Sequence, residues 1–182
     1  MQTFMKWMLE TIRAEGASFN WVEENRFEWT ASTMLAVSQI VAGKTIVLVT
    51  DRKRKWFQHY ISTMINQLSN DRPMIPLISL DRIYPEFDQM TTGEAMDMLT
   101  DMLDLSFAGN YFFWYVGKGN DPRSEIAKRL DESCLWLLDE DFGHAMKLRS
   151  YDPYLDIKLM QLYRLFDLSL NAVLFGEVDA DE

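Results

Sequence analysis

The sequence predicts an α/β fold: a three-layer α-β-α sandwich built on a mainly parallel sheet, with residues 1–182 forming a single domain. Two patterns carry that reading. Short β-branched or aromatic runs, TIVLVT (45–50) and YFFWYVG (111–117) among them, alternate with longer segments of helical periodicity. Strands separated in this way are joined by right-handed crossovers, which make the sheet parallel and cover both its faces. Length agrees, since 182 residues at 48% hydrophobic content are enough for one substantial core.

In chain order, FMKWMLETIRAEG places Phe4, Met8, Leu9 and Ile12 at helical spacing and stops at Gly16. A second helix is expected over about 25–42, ending at Gly43. TIVLVT then reads as a buried strand bounded by Gly43 and Asp51. From Arg52 onward, Trp56, Tyr60, Ile61, Met64, Ile65 and Leu68 define one apolar helical face that NDRP terminates. MIPLISL (74–80) is a strand weakened by Pro76. A helix is expected in GEAMDMLTDMLDL, a third strand at 111–117, and a helix in SEIAKRL opened by Pro122. SCLWLL (133–138) makes the fourth strand, and a long helix follows from about Leu155 to Phe175. The tail GEVDADE (176–182) reads as frayed.

Composition narrows the function classes. A formal charge of −10 disfavours general nucleic-acid binding, which needs concentrated Lys and Arg. The single cysteine, Cys134, excludes an intrachain disulfide and fits a reducing cytoplasm. There is no cationic segment leading into an apolar stretch at the start, so no signal peptide is expected. No apolar run approaches the roughly 18 residues of a membrane span. Six Trp and twelve Met are high for this length, and such residues also favour protein interfaces.

Few residues offer chemistry. VTDRKRKWFQHY (49–60) puts Arg52, Lys53, Arg54 and Lys55 just past a strand end, where an open α/β sheet holds anions. Phosphate cradles use Gly or Ser for close backbone approach, and residues 50–56 contain neither. The quartet therefore reads first as a solvated helix start and second as an anion site. VGKGND (116–121) is a weaker anion turn, with Lys118 between Gly117 and Gly119. His59 falls on a polar helix face and His144 in an acidic loop, and neither has metal-ligand spacing to another His or Cys. Cys134 reads as a buried small hydrophobe, and Asp139, Glu140 and Asp141 as a solvated loop. No catalytic constellation, metal site or cofactor is expected.

The last helix is apolar on nearly every side, because Ile157, Met160, Leu168, Leu174 and Phe175 share the sector of Asp156, Gln161, Arg164, Asp167 and Asn171. Such a helix is buried in a core or between subunits. Two leading helices, a parallel core and a long closing helix resemble the sugar isomerase fold, a flavodoxin-like or Rossmann-like arrangement. Within it the chain resembles the HobA family, regulators of bacterial replication initiation. DRKRKWFQHYI (51–61), YFFWYVGK (111–118), SCLWLLDE (133–140) and LDIKLMQLYRLFDLSLNAVLF (155–175) carry the likeness, distinctive mainly in combination.

The resemblance implies a non-catalytic scaffold, similar in fold to DiaA, that binds the N-terminal domain of the initiator DnaA. A homotetramer, a dimer of dimers, would offer several DnaA sites and promote assembly at the chromosomal origin. DNA would be engaged only through DnaA. For partner contact the expected residues are Leu174 and Phe175 beside the tail, with Phe4, Met5 and Met8 taken as exposed on the first helix. Arg52, Lys53, Arg54 and Lys118 would be a vestigial anion site. The rival reading is a sugar-phosphate-binding or isomerising protein, using Lys118 and the loops after strands one and three, with Thr50 and Ser124 nearby. A third is direct DNA binding through residues 52–55.

Overall fold

A computed structural model describes residues 3–179. Five parallel strands stand in the order β2-β1-β3-β4-β5. They are β1 (Thr45–Thr50), β2 (Leu77–Ser79), β3 (Tyr111–Lys118), β4 (Cys134–Leu138) and β5 (Met146–Leu148). The central strands are apolar at nearly every position because helices cover both faces.

Alternate residues sort the core into two layers. Ile46, Leu48, Phe112, Trp114 and Trp136 point to one side, under α1 (Phe4–Ala14), α3 (Arg26–Val41), α4 (Lys55–Met64) and α8 (Leu155–Leu174). Val47, Val49, Phe113, Tyr115 and Leu137 point to the other, under α6 (Gly93–Phe107) and α7 (Pro122–Lys128). Short helices α2 (Asn20–Glu24) and α5 (Leu80–Ile83) complete the two layers. The first layer is the larger and is strongly aromatic. Trp114 stands edge-on to Trp136 at 5.2 Å between ring centroids and packs on Phe166 of α8 at 4.5 Å.

The expected alternation is present, with local corrections. The predicted strand at 74–80 shrinks to three residues, since Pro76 offers no N–H and the segment before it pairs through side chains. α4 stops at Met64, and Leu68 lies beyond it at 97% exposure, so it belongs to no apolar face. β5 was not expected. Its three residues have Lys147 at their centre, too short a run to show periodicity. The tail is docked further than a frayed end would be: Gly176 takes a positive φ, the N–H of Glu177 reaches the Ala172 carbonyl, and Val178 is buried. The remainder of the predicted frayed stretch, 180–182, lies outside the described residues.

Candidate functional site: a filled crevice and two apolar helix faces

The strand order reverses between β1 and β3, so the crevice at their carboxyl ends is where a ligand is expected in this architecture. It is occupied by Asp51. One carboxylate oxygen accepts the Arg54 backbone N–H at 3.0 Å and Arg54 Nε at 2.7 Å. The other accepts the Lys118 backbone N–H at 2.8 Å and a terminal guanidinium nitrogen of Arg54. Both side chains are buried, and their charges cancel.

The basic quartet is therefore not uniformly solvated. Arg54 is an internal ion-pair partner, Lys55 binds Asp81 at 2.6 Å, and Arg52 lies 3.9 Å from Asp88. Lys53 is exposed and makes no ion pair among the described residues. Arg54 and Lys118 also line an open cleft of about 530 Å³ whose other wall carries Asp152 and Asp156. Arg52 does not line it. The four residues expected as an anion site thus divide: Arg54 and Lys118 share one carboxylate, Lys53 joins them along the cleft, and Arg52 turns to Asp88.

A second carboxylate fills the neighbouring opening between β3 and β4. Glu140 lies so close over Gly119 that a Cβ there would fall 2.3 Å from the Glu140 Cβ. Lys128 Nζ holds this carboxylate at 2.9 and 3.0 Å and also donates to the Gly119 carbonyl at 2.7 Å. Gly117 is similarly constrained, because a Cβ would stand 2.8 Å from the Asp51 carboxyl carbon. Both glycines therefore serve close approach of the chain's own acids.

Nearby hydroxyls are committed as well. Thr50 Oγ1 donates to Gln58, Ser124 Oγ points at the Gly119 carbonyl at 2.6 Å, and the Tyr115 hydroxyl donates to the Lys118 carbonyl at 2.8 Å. Burial, with Asp121 and Asp51 close by, pushes the Tyr115 phenol well above its usual range. The acidic loop is equally tied down. Asp139 accepts the Ser150 N–H at 2.8 Å, and bonding to Ser150 holds its carboxyl below the usual range. Asp141 binds Lys147 at 2.9 Å. His59 is exposed, and His144 Nε2 lies 3.2 Å from the Ser133 carbonyl. Cys134 is buried against Ser32, and burial pushes its thiol up to about 12, which leaves it an unreactive hydrophobe. Among the described residues no group of three or more His, Cys, Asp or Glu could hold a metal ion.

The expected partner-contact residues also separate. Phe4 and Met8 are not exposed: both are fully buried, with Met8 Sδ accepting the Trp29 indole N–H. The apolar face of α1 was legible, but that face turns inward onto α3. Met5 is half-exposed and takes a weak bond from Thr30. Leu174 packs partly on the larger core, while Phe175 is 56% exposed. On α8, Ile157 and Met160 join Phe175 on the outer side, so the helix buries one face and leaves apolar groups on the other. A second exposed stripe was missed. Met98, Met102 and Leu105 project from α6 at i, i+4 and i+7, beside a groove of about 190 Å³ shared with Tyr84 and Met90. The signal was in GEAMDMLTDMLDL, where Met96, Leu99 and Leu103 already supply the buried face.

The comparisons decide the family. The family model for HobA, a DNA replication regulator, matches residues 1–180. The chain belongs to the HobA family. A curated relative, the DNA replication regulator protein HobA of Helicobacter pylori, is 28% identical over 98% of this chain and 99% of its own. A HobA–DnaA (domain I–II) complex from Helicobacter pylori matches at TM-score 0.72 and 26% identity, covering 98% of this chain and 99% of the matched one. Helicobacter pylori HobA itself matches at TM-score 0.71 and 25% identity, over 97% and 99%. Among the described residues of this HobA-family chain, no helix is long and apolar enough to cross a membrane.

Proposed function

We propose that this HobA-family protein is a non-catalytic, cytoplasmic scaffold that binds the N-terminal region of DnaA and promotes its assembly at the replication origin. The observation that carries this is the end-to-end match to the HobA chain of a HobA–DnaA (domain I–II) complex. The geometry supports it from another direction. The crevice that would hold a small substrate contains Asp51, and the nearby Thr50 and Ser124 hydroxyls are engaged internally. The outer faces of α8 and α6 instead keep large apolar side chains in water.

A homotetramer, a dimer of dimers, presents several equivalent sites and raises the effective concentration of a weakly bound partner. Met5, Leu174 and Phe175 remain the proposed contact residues, joined by Ile157 and Met160 on α8. Phe4 and Met8 contribute only by holding α1 in place. DNA is reached through DnaA.

Calorimetry of the full chain against the isolated N-terminal domain of its cognate DnaA, coupled to light scattering, tests the reading. Saturable binding to a tetramer is the expected result, and the titration gives the number of sites. Absence of binding at high micromolar concentration would overturn it. If Leu174→Ala/Phe175→Ala left both the tetramer and the affinity unchanged, those two residues would drop out of the site.

A further inference from the structure

We propose that the crevice between β1 and β3 is an oxyanion-binding site occupied in cis, and that removing the Asp51 carboxylate converts it into a site for free phosphate. The inference does not depend on how DnaA is bound.

Four N–H donors from two separate segments converge on one carboxylate: the backbone and two guanidinium nitrogens of Arg54, and the backbone of Lys118. Capping the turn at 52–54 needs only one of these. The Arg54 fork is the geometry that matches carboxylate and phosphate alike. Arg54 is buried, and each hydrogen bond of its guanidinium goes to Asp51. Without that carboxylate the buried guanidinium loses its hydrogen-bonded counter-ion and is left with only the more distant charge of Asp139, which favours uptake of an anion from solution.

The backbone is bare where the anion lies. A Cβ on Gly117 would stand 2.8 Å from the Asp51 carboxyl carbon. The site also has an entrance, because Arg54 and Lys118 both line the 530 Å³ cleft. Lys118 and Lys53 add positive charge along that cleft, facing Asp152 and Asp156 in the same lining. The reversal of strand order places the four donors where an open parallel sheet receives its ligand. In the wild-type chain Asp51 therefore excludes phosphate esters by occupying their position.

The test titrates full-length wild type, Asp51→Ala and Asp51→Ala/Arg54→Gln with inorganic phosphate. Calorimetry and thermal unfolding are the readouts, with chloride at matched ionic strength as the control. Asp51→Ala should bind one phosphate, its Tm rising by about 3–6 °C at roughly ten times Kd. Wild type and the double variant should show no saturable response. A folded Asp51→Ala protein that ignores phosphate overturns the proposal, as does a wild type that binds phosphate equally well. If Asp51→Ala does not fold in chloride, it is refolded from urea in phosphate and in chloride. Recovery specific to phosphate supports the occupied-site reading, and equal failure in both salts overturns it.

Discussion

The crevice at the strand ends and the outer face of α8 solve opposite problems. In the crevice, charges that would attract a ligand are neutralised by the chain itself, Arg54 by Asp51 and Lys128 by Glu140. On α8, apolar groups that a solitary globule would bury stay in water, Ile157, Met160 and Phe175 among them. The first region is satisfied by the chain's own groups, whereas the second leaves apolar side chains uncovered. Under the proposed function, recognition lies on the surface and not in the crevice. What the crevice holds is a structural ion pair.

The contrast implies a graded set of effects on stability. Asp51→Ala should cost the most, about 3–5 kcal/mol, because it strands a buried guanidinium. Urea unfolding of the variant in chloride buffer measures the loss. A cost near zero would mean that the crevice is loosely held and that the two regions do not differ as described. Gly119→Ala should follow at about 1–3 kcal/mol, since a methyl there meets the stem of Glu140 as well as its mobile end. Gly119→Ala/Glu140→Ala should recover much of that loss. Failure to recover would place the strain in the backbone.

Acid should open the charged region progressively. Hydrogen bonding from Arg123 holds the Asp88 carboxyl below its usual range, and Lys158 does the same for Asp152, as Ser150 does for Asp139. Their folded values lie below those of the unfolded chain, so the unfolded chain binds more protons as the pH falls. The stability they contribute is fully present above the unfolded carboxylate range, about pH 4–5, and is lost below it. The urea midpoint should be flat from neutrality to that range and then decline. Asp88→Asn/Asp152→Asn should start lower and decline less steeply.

Much of the fold was legible because buried strands leave long apolar runs. TIVLVT and YFFWYVG could hardly be anything else, and the helices between them declared the parallel sheet. β5 was not legible, because three residues centred on Lys147 show no period, and its pairing with β4 comes from tertiary position. In the candidate site, charge was legible but pairing was not. Within DRKRK nothing marks Arg54 as the one that folds back onto Asp51, since that choice depends on a turn closing beneath Lys118 of a distant strand. Phe4 and Met8 failed in the opposite sense. Their spacing identified a face correctly, but periodicity does not say whether that face meets the core or a partner.

The smallest expected effect on stability is the most informative. Replacing Ile157, Met160 and Phe175 together with Ser removes apolar surface that the isolated chain leaves largely in water. Each substitution should therefore change the unfolding free energy of the isolated protomer by no more than about 0.5 kcal/mol. The protomer is isolated by dilution, and its state is checked by light scattering. The same triple variant should fail to assemble or should lose roughly tenfold or more in DnaA affinity, as truncation of apolar interface anchors does. Dissociation with retained one-to-one binding assigns the face to the oligomer, whereas a stable assembly with lost affinity assigns it to the partner. If the protomer itself unfolds, these side chains belong to the core and the contrast with the crevice fails. A folded protomer that binds and assembles as before would transfer the role to Met98, Met102 and Leu105 on α6, the other apolar stripe that the fold leaves uncovered.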